Sequence, residues 1–200
     1  MGHRFYRVNN QPDPAPRFQF NSVCMKRWFT FAALYTVTIP AAILMSVLIL
    51  RDFRSGDQPI FRQLNEEWIS HHFTLEAADL KALDHPEEYI LTPGGCILLA
   101  EVGGQVVGNC ALIKMDDGSS YELAKMAVAP AAQGQHIGYL LGQAAVQRVR
   151  ELGGGRVYLE SNSKLAPALA LYRKLGFQDV AAPNPSPYAR ADVQMELLLP

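Results

Sequence analysis

The 200-residue sequence predicts a mixed α/β (α+β) domain, with a central, mostly antiparallel twisted sheet, one parallel strand–helix–strand crossover and flanking helices. Three observations carry that prediction. Between Cys96 and Val128, short apolar runs alternate with the turn signals Gly103-Gly104 and Asp116-Asp117-Gly118, the pattern of an antiparallel meander. From Tyr121 to Ser161 the order is strand, glycine-containing loop, long helix, triple-glycine stop, strand; such a crossover implies parallel pairing. Between Asp57 and His72, the residues Ile60, Phe61, Leu64, Trp68 and Ile69 fall on one helical face, while Arg62, Glu66 and Glu67 fall elsewhere.

Taken in order, residues 1–27 are polar, with Asn9, Asn10, Pro12, Pro14 and Pro16, and read as disordered. Residues 28–50 carry no charge and are long enough to span a bilayer. Two arguments weaken a membrane span. Ser46 to Phe53 reads as the opening strand of the domain, and a residue cannot be both lipid-embedded and part of a sheet. Arg4, Arg7, Arg17, Lys26 and Arg27 favour a cytoplasmic N-terminus, which would place the domain across the membrane from cytosolic substrates. We expect a domain over residues 45–200, with residues 1–44 an extension outside it. The leading expectation is that translation begins at Met45; a membrane anchor and a soluble extension are the alternatives.

Asp57 is placed to cap the helix ending at His72, and Thr74 to cap a second, Leu75 to Leu83, broken by His85-Pro86. Pro93-Gly94-Gly95 is a turn. Strands follow over Cys96–Val102, Gln105–Met115 and Tyr121–Val128, then a helix from about Gln135 to Leu152. Arg156 to Ser161 is a strand. Pro167 suits the first turn of a helix that runs to Leu175 and ends at Gly176. Asn184–Pro187 is a loop and Val193–Leu199 a closing strand.

A net charge of −1 with no long basic run argues against a nucleic-acid partner. Cys24, Cys96 and Cys110 are odd in number and scattered, so they read as buried thiols of a reducing compartment. No metal-binding spacing occurs, and the adjacent His71 and His72 suit no common ligand pair.

The stretch Val128 to Leu141, VAPAAQGQHIGYLL, organises the rest. A strand leads through a glycine-containing loop into a helix start, where unpaired backbone N–H groups and the positive helix end attract anions. Helix starts usually favour Asp or Glu, yet no acidic residue occurs between Glu122 and Glu151. The anion is not a magnesium-bound nucleotide triphosphate. Tyr139 and Leu140 follow Gly138, where a phosphate-binding lysine and a magnesium-binding hydroxyl would be needed. The dinucleotide fingerprint is also absent. Gly138 and Gly142 share a helix face, where they permit close packing. What remains is a phosphate held by backbone amides without a metal.

Here the sequence resembles a family. QGQHIG is similar to the pyrophosphate loop Q/R-x-x-G-x-G/A of the GNAT-type N-acetyltransferases, with Gln133 and Gly138 matching its ends and His136 replacing its first glycine. ALYRKLGF, residues 170–177, is similar to the family's second signature, a helix ending in L-Y-x-K-x-G-F. The resemblance implies acetyl-CoA as co-substrate, no metal, and transfer of an acetyl group to a primary amine by direct attack in a ternary complex. It implies that Glu122 is the general base and Tyr172 the acid toward the coenzyme sulfur. It places coenzyme contacts at Met126, Ala127, Val128, Gln133, Gly134, Gln135, His136, Ile137 and Gly138. Met126 and Val128 would act through their backbone, where the strand splays from its neighbour. The family's usual pantetheine-contacting asparagine is Leu165 here, and Asn162 is the expected substitute.

In the same comparison the helices of 57–83 line the acceptor side, making His71, His72 and Glu76 candidates beside the bland reading of solvated loop residues. The implied partner is a small-molecule or peptide amine, in the cytoplasm. A membrane is a partner only through residues 28–50, and a homodimer stays open. A non-catalytic acyl-CoA sensor of the same fold is the runner-up, and a membrane-tethered interaction protein a third reading.

Overall fold

The computed structural model describes residues 6–7, 47–181 and 186–200. Its strands are β1 (Tyr6–Arg7), β2 (Leu48–Asp52), β3 (Cys96–Val102), β4 (Gln105–Lys114), β5 (Ser120–Val128), β6 (Arg156–Ser161), β7 (Gln178–Val180) and β8 (Val193–Leu198). Its helices are α1 (Gln58–His72), α2 (Ala77–Asp84), α3 (Ile137–Glu151) and α4 (Ala166–Lys174). The strands form one sheet in the order β1-β2-β3-β4-β5-β6-β8-β7. Every neighbouring pair is antiparallel except β5–β6.

Helices cover both faces, which is why β3 is apolar almost throughout instead of alternating. Alternate residues still go to opposite sides. Ile97, Leu99 and Ala111 pack with Phe61, Ile69 and Leu83 of α1 and α2. Leu98, Ala100, Cys110 and Leu112 pack with Leu141, Ala145 and Val149 of α3. Gly142 lets α3 close on α4's end: a Cβ there would lie 2.4 Å from Leu175 Cδ1.

Two features open the sheet at one point. β5–β6 pairing covers only Ser120–Glu122 against Arg156–Tyr158, although β5 continues to Val128 and β6 to Ser161. Beyond Glu122 the parallel strands have parted. Against β4, β5 carries a bulge: Ala124 faces Ala111 and Ala127 faces Asn109, so an extra residue is accommodated between them. Lys125 takes up the turn with φ +48°. The buried Asn109 amide donates to its carbonyl at 2.6 Å.

Several sequence expectations need correction. Asp57 does not cap α1 with its side chain; its carboxylate accepts both terminal nitrogens of Arg51 and the Arg54 N–H. The second helix starts at Ala77 with Glu76 as N-cap, not after Thr74, because Asp79 accepts the Glu76 N–H at 3.0 Å. The α3 helix begins at Ile137, two residues later than expected, because His136 takes a left-handed conformation. β7 and the π-helical turn Glu87–Leu91 carry no sequence signal of their own length. Leu48–Leu50, the end of the apolar run, belongs to β2. Residues 8–46 lie outside the described part, and with them nearly all of the expected extension, as does Cys24. Cys96 and Cys110 are free thiols, and Cys110 is buried. Among the described residues no helix is long and apolar enough to cross a membrane.

Candidate active site

Two clefts meet where β5 and β6 part. The larger, about 710 Å³, runs from the start of α3 along α4. The smaller, about 100 Å³, lies on the side of α1 and the segment 188–191. Met126, Leu165, Ala168, Tyr172 and Trp68 border both, so the two clefts adjoin at the splayed sheet.

Backbone at the head of α3 dominates the outer end of the larger groove. The first helical bond runs from Leu140 N–H to His136 C=O, leaving the preceding amides without a helical acceptor. No side chain caps them and no acid stands in the first turn. His136 adopts φ +60°, the conformation a glycine would supply, and its side chain is solvent-exposed. Gly134 is also left-handed, with open space around it. Gln133 donates to Val128 C=O at 3.2 Å, tying the loop back to the strand. This cradle suits a diphosphate, and the groove beyond it suits an extended arm ending at the splay.

Of the expected coenzyme residues, Met126, Ala127, Val128, Gln133, Gly134, His136, Ile137 and Gly138 line this groove. Gln135 borders neither cleft. Asn162 borders the smaller one, with its amide donating to Arg190 C=O at 2.5 Å and its side-chain oxygen accepting the Lys164 N–H at 2.9 Å. Its side chain thus ties two loops together at the edge of that cleft. Lys164 and Lys174, absent from the sequence expectation, also border the groove. Their exposed ammonium groups flank a helix start already suited to anions.

Glu122 lines the smaller cleft, at the last residue of β5 paired to β6. Burial raises its carboxyl, Lys125 opposes that and Glu160 adds to it, leaving a pKa of about 7. A carboxylate at that value is poised to exchange a proton at neutral pH. Tyr172 borders both clefts and meets Phe177 edge-on at 6.0 Å, so it is at once a core aromatic and a groove residue. Burial pushes its hydroxyl up to about 12, which keeps the proton on it.

The smaller cleft also holds charges that no local motif announces. Lys125, only 4% exposed in its side chain, donates to Asp79 at 2.9 Å and to the Tyr188 hydroxyl at 2.8 Å. Burial alone would lower its pKa, but Tyr188 and Asp79 outweigh it and hold the cation. Arg190 grips both oxygens of the fully buried Asp79, at 2.7 and 2.8 Å, and reaches Glu76 at 2.9 Å. Glu76 further accepts the Ala189 N–H, and Asp192 accepts from Ser163. The segment 186–192 is thus strapped over the cleft from several sides. Of the acceptor-side candidates, Glu76 acts one step behind the cleft. His72 borders the larger groove instead, against Trp68 at 5.0 Å between centroids, and His71 borders neither.

The chain belongs to the acetyltransferase (GNAT) family, whose model matches residues 58–177. It is 33% identical over 147 residues to a mycothiol acetyltransferase of Pseudarthrobacter chlorophenolicus, covering 70% of this chain and 45% of that one. It is 34% identical over 100 residues to the uncharacterized N-acetyltransferase YjgM of Escherichia coli, covering 49% of this chain and 60% of the relative. The chain thus spans about half the length of these curated relatives. A Staphylococcus aureus GNAT-family acetyltransferase shares the fold with a TM-score of 0.70 at 18% identity, over 76% of this chain and 99% of its own. A protein from Salmonella typhimurium solved with its cofactor acetyl-CoA superposes at 0.60 and 20% identity, over 76% and 94%.

Proposed function

We propose that this protein is an acyl-CoA-dependent N-acyltransferase that moves an acetyl group from acetyl-CoA to a primary amine by direct attack in a ternary complex. The observation that supports the reading is the meeting of the two clefts at the splayed sheet, with Tyr172 bordering both and Glu122 lining the smaller one. Two reactants entering from opposite faces would meet there, and positioning of that kind supplies much of a catalyst's rate gain.

In this reading the amides at the head of α3 hold the coenzyme's diphosphate, and Met126 to Val128 run along its pantetheine arm. The thioester supplies an activated acyl carbonyl. An ammonium has no lone pair, so Glu122 first takes one proton from the acceptor. The nitrogen–carbon bond then forms as the carbon–sulfur bond breaks. The departing sulfur takes the Tyr172 hydroxyl proton, and the second proton shed by nitrogen balances the one the tyrosine recovers through solvent. A donor pinned near pKa 12 suits a step in which it must stay protonated until the thiolate appears.

The test has two measurements on the full chain: calorimetric affinity for coenzyme A, and thiol release from acetyl-CoA across a library of amines. Binding together with amine-dependent release is expected. Tyr172→Phe should lower turnover roughly 10²-fold while coenzyme binding persists. Absence of coenzyme affinity would end the reading. Affinity with no amine-dependent release would leave a coenzyme-binding domain without catalysis.

A further inference from the structure

Resting on that reading, the cleft charges narrow the acceptor. We infer that Glu160 binds the acceptor's ammonium group beside Glu122, and that the acceptor is a primary amine with no carboxylate next to its nitrogen.

The inference begins with charge matching. Among the ionisable groups around the smaller cleft, both cations are spoken for: Lys125 by Asp79, and Arg190 by Asp79 and Glu76. Two carboxylates against two cations leave Glu122 and Glu160. Neither has a cationic partner at ion-pair distance among the described residues. Glu160 is nonetheless fixed in place. Tyr158 donates its hydroxyl to one oxygen at 3.1 Å and Ser186 donates to the other. A carboxylate has about four acceptor positions, so two remain for a ligand.

Register places the two carboxylates together. Glu122 stands opposite Tyr158, and Glu160 lies two residues further along β6, on the same side and just past the parting of the strands. Both border the cleft. An ammonium entering there meets one carboxylate to hold it and another to take its proton. A carboxylate on the adjacent carbon would instead be forced against Glu160, with no cation free to receive it. Beside the polar but uncharged Asn65, Ser161 and Asn162, the remaining wall carries Trp68, Ile69 and Phe73, a face that receives an uncharged substituent.

Matched amine and amino-acid pairs test this: phenethylamine against phenylalanine, and isoamylamine against leucine, each assayed by thiol release from acetyl-CoA. The wild-type protein should favour the decarboxylated member of each pair by about tenfold or more in kcat/KM. Glu160→Gln should raise KM for the amines more than it lowers kcat, and should shrink the preference. Glu160→Asp, which keeps the charge, should restore part of it. Unchanged coenzyme A affinity in each variant shows that the fold is intact. A wild-type preference for the amino acids, or a preference untouched in Glu160→Gln, overturns the inference while leaving the acyltransferase reading standing. No release with any amine in the wild type defeats both.

Discussion

In the proposed reading the larger groove takes the acyl donor and the smaller cleft the acceptor, and the two would recognise their contents by opposite means. The donor groove is built chiefly from backbone: amides at the head of α3, a left-handed glycine, and a strand freed from its neighbour. The acceptor cleft is built from buried, interlocked side chains drawn from α2, β5, β6 and the 186–192 strap. A backbone cradle depends on where the chain runs and tolerates many side chains. A charged cleft depends on each residue and fails when one is removed. Substitutions should therefore be costly on the acceptor side and mild on the donor side.

The largest effect should come from Glu122→Gln. Losing a general base is expected to lower kcat/KM by roughly 10² to 10⁴, with coenzyme A affinity unchanged by calorimetry. In the wild type, kcat/KM should rise with pH through a midpoint of about 7, because the carboxyl must be deprotonated to accept the amine's proton. That limb should vanish in the glutamine variant. The same carboxyl affects stability with the opposite sign. Its folded pKa lies above the ordinary value, so stability falls as pH rises from the ordinary carboxyl range through 7. Glu122→Gln should stabilise the fold at pH 8 by on the order of 1–3 kcal/mol, read as a higher melting temperature.

Next in size is Asp79→Asn. It leaves Arg190 with Glu76 alone and the buried Lys125 without a carboxylate partner, a loss of about 3–5 kcal/mol in denaturant unfolding. Burial alone would raise the Asp79 pKa, but Arg190 and Lys125 bring it down to about 2. Its stabilisation is present above the ordinary aspartate pKa and is lost as pH falls through 2. Acid unfolding of the wild type should steepen in that window, and the asparagine variant should lack that step. If Asp79→Asn were as mild as a surface change, the contrast between the two clefts would be lost.

The same contrast explains what could be read in advance. The donor groove lay in one continuous stretch, where glycine spacing and a missing acid mark a helix start locally. The fold class, the meander and the crossover were legible for the same reason, being runs of one period closed by turn residues. Lys125, Asp79, Glu160 and Arg190 come from separate segments, and no local pattern says that β5 bulges at Lys125 or that Arg190 folds back onto α2. The partners of Asn162, Arg190 and Lys164, are likewise decided by the tertiary packing. The start of α2 went astray because Asp79, buried for the sake of Arg190, also fixes Glu76 as the cap.

Gly142→Ala probes packing behind the donor groove. A Cβ would overlap Leu175 at 2.4 Å, a far end of a flexible side chain that can shift, so the expected cost is about 1–3 kcal/mol in unfolding. Coenzyme affinity should hold if α3 keeps its place. By contrast Gly138, where an added Cβ finds ordinary contacts of 3.6 Å or more, should accept alanine without loss of stability.

The smallest effects should come from His136, and they bear most directly on whether the donor groove is read by backbone alone. His136 stands at φ +60°, where an L-residue other than glycine or asparagine-like types is strained by about 1–2 kcal/mol. His136→Gly relieves that strain, but the added freedom of the unfolded chain offsets part of the gain, so stability should stay within about 1 kcal/mol of the wild type. His136→Ala keeps the strain and should be the less stable of the two. If the amides do the holding, coenzyme A affinity should be preserved in the glycine variant, because the loop conformation is unchanged. Equal weakening in both variants would mean instead that the imidazole itself donates to the diphosphate, and recognition on the donor side would then be shared between backbone and side chain.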